Sequence, residues 1–231
     1  MLDRALLVAL ALAATPAAAA PSAPVLVELF TSEGCDSCPP ADAVLARLVG
    51  RDDVLPLEFH VTYWDNLGWP DPFGDQAFTA RQRAYARWLG TSTVYTPQMM
   101  VGGVMDVEGS DAQHLVDAIR ARQAAGGTSA VGFADGGARL PETALERPAE
   151  LWLAAYDAHH QVAVERGENA GRTLDHHNVV RELARLGSWD GRARTLDLPL
   201  DRLRREGRAG VAVAAQDPQT GRVVAVGRLG L

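Results

Sequence analysis

Cys35 and Cys38 are the only cysteines in the 231-residue chain, and two residues, Asp36 and Ser37, lie between them. They follow a short apolar run, Val25 to Phe30, and precede a helix-like run, Ala41 to Val49. Pro39 and Pro40 suit a first helical turn, where a missing N–H costs nothing. A Cys-x-x-Cys at a strand-to-helix junction places one thiol at a helix N-terminus. Unsatisfied N–H groups there favour the thiolate, which is the nucleophilic form. The second thiol lies one turn on, within reach to close a disulfide. The chemistry expected is thiol–disulfide exchange, in which a thiolate attacks a disulfide sulfur and a second thiol resolves the mixed disulfide. Cys35 is expected to be the exposed nucleophile and Cys38 the resolving residue. Asp36 and Glu33 oppose the helix, since a carboxylate disfavours a nearby thiolate. The competing use is an inert staple. A disulfide closing so small a loop stabilises by only about 2 kcal/mol in the chain-entropy model, and a chain of this length buries enough core without one. A structural zinc asks for four ligands and there is no second cysteine pair, so no metal is expected at the motif.

The elements that must position the motif read in βαβαββα order from Val25. Val25 to Phe30 is a nearly continuous apolar run with Glu28 inside it, as in a strand buried on both faces. Ala41 to Val49 is a helix closed by Gly50, and Val54 to Val61 is a second strand. Thr62 to Gly74 is a loop rich in Trp, Pro and Gly. Asp75 to Leu89 has helical spacing and Gly90 stops it. Gln98 to Val101 and Val104 to Val107 form a hairpin around Gly102-Gly103. Ser110 to Gln113 reads as a capping box for a helix reaching about Ala125. Gly126-Gly127 marks a boundary, giving an α/β domain over 21–127 and a β-rich domain over 128–231. In the second, Ala130 to Phe133, Leu151 to Asp157, Gln161 to Arg166, Arg194 to Leu198, Val211 to Gln216 and Val223 to Arg228 read as short strands. Their spacing suggests a β-sandwich. The positions Val179, Val180, Leu183 and Leu186 fit a helical face as well as a strand.

The N-terminus points to an oxidising compartment. Met1 to Arg4 is a short n-region, Ala5 to Ala14 an apolar h-region, and Thr15 to Ala20 a small-residue stretch with Ala-x-Ala options. A signal peptide over residues 1–20 is expected, cleaved near Ala17 to Ala20. The apolar run is too short to span a bilayer comfortably, and no other stretch does so. A periplasmic or secreted protein without a membrane span after cleavage is expected, where disulfide chemistry is at home. The net charge of −7 makes nucleic acid and anionic lipid poor partners. All 22 basic residues are Arg, which reflects composition and not an arginine site.

The first half resembles the thioredoxin superfamily, through the βαβ start with Cys35-x-x-Cys38 and through Thr96-Pro97 leading into a hairpin and a last helix. The resemblance implies a thioredoxin-like N-terminal domain. It implies that Pro97 is a cis-proline facing the cysteines and that Glu28 is the buried acid of the preceding strand, a proton acceptor for Cys38. Gly34 stands where an aromatic residue commonly precedes the first cysteine. Taken whole, the chain resembles the secreted family catalogued as domain of unknown function 1223. The carrying segments are Val27 to Ala41, Phe59 to Phe73, Arg81 to Leu89, Val94 to Met100 and Glu165 to Arg181. That name carries no reaction.

Other residues weighed for chemistry are fewer. Tyr63, Trp64, Trp69 and Phe73 bring aromatic surface with polar edges to one loop, and the first three suit an apolar substrate-binding lip. His60, Met99 and Met100 raise a copper-handling alternative, because thioether and imidazole ligands suit copper. Adjacent strand residues point to opposite faces, so at most one Met can face Cys35. The pairs His159-His160 and His176-His177 split between faces for the same reason. The expected function is an extracytoplasmic thiol–disulfide oxidoreductase, in the reductase or isomerase direction. It acts on a protein or small-molecule disulfide with an electron-transfer partner and no bound haem, flavin, nucleotide or metal. The alternatives are a copper-handling module and a non-catalytic interaction protein. Copper titration separates the first, and insulin reduction the second.

Overall fold

The computed structural model of the chain describes residues 23–134 and 136–231. The expected signal peptide, residues 1–20, lies outside the described residues. β1 (Val25–Thr31) and β2 (Val54–His60) are buried along their whole length and pair in parallel. A parallel pair needs a crossover, and α1 (Pro39–Ala46) supplies it. α2 (Gln76–Leu89) starts at Asp75, whose carboxylate accepts from the Ala77 N–H, and stops at left-handed Gly90. β3 (Gln98–Val101) runs antiparallel to β1 and pairs with β4 (Met105–Glu108). α3 (Ala112–Ala125) is capped by Asp111, not by Ser110, through a bond from the His114 N–H. Next come β5 (Ser129–Ala130), β6 (Gly132–Ala134) and β7 (Gly137–Leu140), then two long strands, β8 (Ala149–Ala163) and β9 (Thr173–Trp189). The chain ends with β10 (Arg194–Asp197), the short α4 (Leu200–Arg205), β11 (Gly210–Gln216) and β12 (Val223–Gly230).

Strand parity decides the layers. Val27 and Leu29 of β1 pack with Val44 and Leu45 of α1 and Leu115 and Ile119 of α3. Leu26 and Phe30 face the other way, toward Phe78 and Tyr85 of α2. Buried side chains of this size contribute roughly 2 kcal/mol each. A four-residue disulfide loop, worth about as much as one of them, is therefore not what holds the fold.

The β-sandwich expectation for residues 128–231 is corrected. These residues are β-rich, but their long strands continue the first half's sheet, in the order β4-β3-β1-β2-β9-β8-β11-β12-β5. The α2-side core is also continuous, since Trp152, Ala154, Val180 and Ala214 join Phe30 and Phe59 in it. The join between halves is narrow, with one backbone register pair, Glu58↔Val179. Pro56 in β2 lacks the N–H a longer ladder would need. Asn178, held at φ 52°, bends β9 there and donates from Nδ2 to the Pro56 carbonyl at 2.9 Å. Sequence texture signalled a boundary because strands replace helices after Gly127, but not which strand edge they would extend. A small second sheet, β10-β7-β6, and α4 cover the opposite face of β8 and β11, where Leu151 and Val213 meet Leu140, Trp189 and Leu203. The ambiguous Val179–Leu186 stretch is strand, within β9.

Candidate functional site

Cys35 and Cys38 form a disulfide at the start of α1. Cys38, not Cys35, is the N-cap residue, and its carbonyl accepts from the Ala41 and Asp42 N–H groups at 2.8 and 3.2 Å. Cys35 sits on the preceding turn, its carbonyl accepting from the Cys38 N–H at 3.2 Å. Pro39 and Pro40 fill the first two helical positions. Two of the N–H groups that would face an anion there are thus missing, and the helix helps a Cys35 thiolate less than its position alone suggests.

The Thr96–Pro97 peptide is cis, as the sequence reading expected. Thr96 Oγ1 donates to Cys35 Sγ at 3.3 Å and accepts from Trp64 Nε1 at 2.8 Å. Ser37 Oγ lies 3.3 Å from the same sulfur. Pro97 and Ala41 of α1 both close on Gly109, where an added Cβ would come within 2.9 and 2.8 Å of theirs. Gly34 is needed for a similar reason: a Cβ there would meet Trp64 Cβ at 3.0 Å. Trp64 from the loop thus packs against the residue before Cys35. Of the expected site residues, Cys35, Cys38, Thr96, Pro97 and Trp64 are brought together. Tyr63 is half-buried beside Trp64, with ring centroids 6.3 Å apart. Trp69 is half-buried and donates from Nε1 to Glu33 Oε2 at 2.6 Å. Both indole N–H groups are therefore spent on the site's own frame instead of an open lip.

Glu28 does not join the cysteines. Parity turns it to the α2 face, away from α1. There it accepts from Arg81 Nε at 2.5 Å and Nη2 at 3.2 Å and from the Tyr85 hydroxyl. On the cysteine side, Asp42 is buried one helical turn after Cys38 on the same helix. Its Oδ1 accepts from Thr31 Oγ1 at 2.8 Å. Burial first, then the Glu58 charge, pushes its pKa up to about 7, against the opposing pull of His176, Thr31 and His60. A cavity between α1 and β9, lined by Pro39, Asp42, Arg172 and Asp175, reaches it.

The expectation of an exposed Cys35 is also corrected, because both cysteines are fully buried. Their cover includes the tip of the β8–β9 hairpin, residues 164–172. Asn169, itself fully buried, donates from Nδ2 to the carbonyls of Glu33 and Cys35, both at 2.9 Å. Arg172 Nη1 holds its Oδ1 at 2.7 Å. Glu168 Oε2 accepts from the Asp36 N–H at 3.3 Å. The sequence showed here only a charged turn, since the contact spans 134 positions. Asn169→Ala removes both latch bonds, each worth about 1 kcal/mol. Reduction of the disulfide by dithiothreitol is expected to quicken by about 10- to 30-fold, as the tip opens more readily. Thiol-quenched mass spectrometry measures the rate, and an unchanged rate would mean that the tip is not the barrier.

Below the motif lies a second cluster that sequence reasoning did not assemble. Glu58 and His60 alternate onto the face opposite Leu57 and Phe59, and His176 of β9 meets them there. His60 Nδ1 bonds Asp71 Oδ2 at 2.7 Å, and His176 Nδ1 bonds Glu58 Oε1 at 2.7 Å. His60 Nε2 lies 3.2 Å from Glu58 Oε1, and His176 Nε2 lies 3.5 Å from Glu33 Oε1. All five side chains are buried. Asp71 Oδ2 also accepts from the Glu33 N–H at 2.8 Å, which ties the cluster to the cysteine loop. Burial lowers the pKa of both histidines, but their carboxylate partners outweigh it. His60 is raised well above the ordinary value through Asp71 and Glu58, and His176 to about 9 through Glu33 and Glu58. Burial raises the Glu58 pKa, yet hydrogen bonding to the two histidines brings it down to about 2.

The histidine pairs split between faces, as parity requires. His176 is buried, whereas His159, exposed, bonds Asp175 Oδ1 at 2.5 Å. The copper set is not assembled: Met99 belongs to the α1-side core and Met100 to the α2-side core.

A family model described as "Protein of unknown function (DUF1223)" matches residues 26–216. The crystal structure of an Agrobacterium tumefaciens protein is similar at 32% identity and a TM-score of 0.78, covering 91% of this chain and 96% of that one. HBP35 of Porphyromonas gingivalis shares the fold at a TM-score of 0.62 and 15% identity, over 92% of this chain and 76% of that one. No curated protein matches the chain.

Proposed function

The chain belongs to the family of proteins of unknown function DUF1223, and from that premise we propose that it is an extracytoplasmic thiol–disulfide oxidoreductase. The observation that carries the reading is the Cys35–Cys38 disulfide at the head of α1, with the Thr96 hydroxyl on Cys35 Sγ beside cis-Pro97. In the reduced protein, the Cys35 thiolate attacks one sulfur of a substrate disulfide. A Cys35–substrate disulfide forms, and the other substrate sulfur leaves as a thiolate and takes a proton. Cys38 gives its proton to Asp42 and attacks Cys35 Sγ. The Cys35–Cys38 disulfide closes, and the second substrate thiolate is released and takes the proton held by Asp42. The substrate gains two electrons and two protons, and the protein dithiol loses them. A dithiol partner resets it by the same exchange in reverse. The Asn169 latch must open for either half of the cycle, since neither sulfur is exposed.

The reductive or isomerising direction is favoured by charge. Asp36 and Glu33 flank the motif, Glu168 reaches the Asp36 N–H, and two prolines remove helix donors. Among the described residues, the Thr96 hydroxyl, with Ser37 nearby, is set to support a Cys35 thiolate. A weakly stabilised thiolate goes with a stable disulfide and a reducing couple. Asp36→Asn is expected to lower the Cys35 pKa and shift the couple in the oxidising direction by on the order of 10–20 mV. Equilibration of both proteins with glutathione measures it, and no shift would remove Asp36 from the account.

The reading itself is tested by dithiothreitol-driven insulin reduction. The protein should accelerate it, Cys35→Ser should abolish the acceleration, and Cys38→Ser should accumulate mixed disulfides. A rate equal to dithiothreitol alone, also with Asn169→Ala, would leave the disulfide as an inert staple.

A further inference from the structure

We propose that Glu58, His60 and His176 bind one divalent transition-metal ion of the zinc class beneath the cysteine loop. The three residues come from β2 and β9, and their ligand atoms lie within 4.8 Å of one another. His60 Nε2 and His176 Nδ1 both face Glu58 Oε1, at 3.2 and 2.7 Å. Zinc bonds of about 2.0–2.2 Å in tetrahedral array place ligand atoms roughly 3.3 Å apart, so an ion is admitted once the Glu58–His176 contact opens and the two imidazole nitrogens, within 4.8 Å, close on it. His60 Nε2 is fully buried and faces Glu58 Oε1 at 3.2 Å without the alignment of a full hydrogen bond. A buried imidazole nitrogen aimed at a carboxylate oxygen and a second imidazole is what a cation would complete.

The outer shell fits the same reading. A metal-bound histidine ordinarily gives its other nitrogen to a carboxylate, which fixes the ring. His60 Nδ1 meets Asp71 at 2.7 Å, and His176 Nε2 faces Glu33 Oε1 at 3.5 Å. The remaining oxygen of Glu58 is held by the His177 backbone N–H at 2.8 Å, leaving Oε1 for the ion. Two imidazoles and one carboxylate, with no sulfur, suit a zinc-like ion better than a soft one. Phe73 lies edge-on over both rings, with centroids at 5.1 and 5.8 Å, and closes the site from outside. Glu33 and Asp71 also join this cluster to the Cys35 loop, so the ion would hold the floor of the redox motif.

The test uses the whole chain with its disulfide closed, stripped by chelator and then incubated with zinc or cobalt. Plasma mass spectrometry should find about one zinc per chain after desalting, and cobalt should give a tetrahedral absorption band. His176→Gln should abolish stoichiometric retention, and Asp71→Asn should weaken it about 10- to 100-fold. Cys35→Ser/Cys38→Ser and His159→Ala should retain the ion, because the dithiol and the exposed histidines are not its ligands. X-ray absorption on the wild type, which needs no variant, should show nitrogen and oxygen neighbours only. Folded wild type that retains no ion, or sulfur in the coordination shell, would overturn the proposal. So would retention that follows His159, or nitrogen-15 spectra showing His60 and His176 still doubly protonated in zinc.

Discussion

Asp42→Asn is expected to slow insulin reduction about 100-fold at neutral pH, the loss typical of a removed general base. Asp42 is buried one turn after Cys38, with its pKa raised to about 7 by burial and by Glu58. Above that value it is a carboxylate able to accept the Cys38 proton. The wild-type rate should therefore rise through about pH 7. The variant should stay low until the thiols titrate by themselves, near pH 8.5 for an unperturbed cysteine. Stability moves the other way. From the ordinary value of 3.8 up to about 7 the folded state holds a proton that the unfolded state has lost, so this group's contribution falls as pH rises through that window. Asparagine still accepts from Thr31 and carries no charge to bury. At pH 8 the variant should be slower yet more stable than wild type in urea. A variant that is both slower and less stable would point to misfolding, and an unchanged pH–rate profile would remove Asp42 from the proton path.

Arg81→Met should destabilise the protein by about 3–5 kcal/mol, the usual cost of leaving one buried charge without its partner. Arg81 reaches from α2 to Glu28 of β1, both side chains being almost wholly buried. Its guanidinium also lies over the Trp152 ring at 4.0 Å, and Gln216 Nε2 donates to the Tyr85 hydroxyl at 2.9 Å. The network thus links β1 and α2 to β8 and β11. Urea unfolding should show one transition at a lower midpoint, with amides of both halves losing protection together in hydrogen exchange. The double variant Glu28→Gln/Arg81→Met should recover much of the loss, since neither charge is then stranded. If the N-terminal half alone lost protection, the continuous core would not act as one unit.

What the sequence determined by itself was local or periodic. Cys35-x-x-Cys38, the capped and glycine-stopped α2, and the split of adjacent histidines between faces all follow from neighbours a few residues apart, whereas the cis Thr96–Pro97 peptide was expected from the family resemblance. The family was also legible, because its motifs lie in contiguous segments. Tertiary structure decided the rest. Glu28 stood out as the buried acid in the right strand, but parity turned it to Arg81, and Asp42 took the cysteine side. His60 and His176 are 116 positions apart and meet only because β9 adds to the edge of β2. Asn169 reaches Cys35 because the β8–β9 hairpin folds back over α1. No periodicity encodes such meetings. They depend on which strand edge is free and how a bend such as that at Asn178 aims it, and those are properties of the assembled sheet.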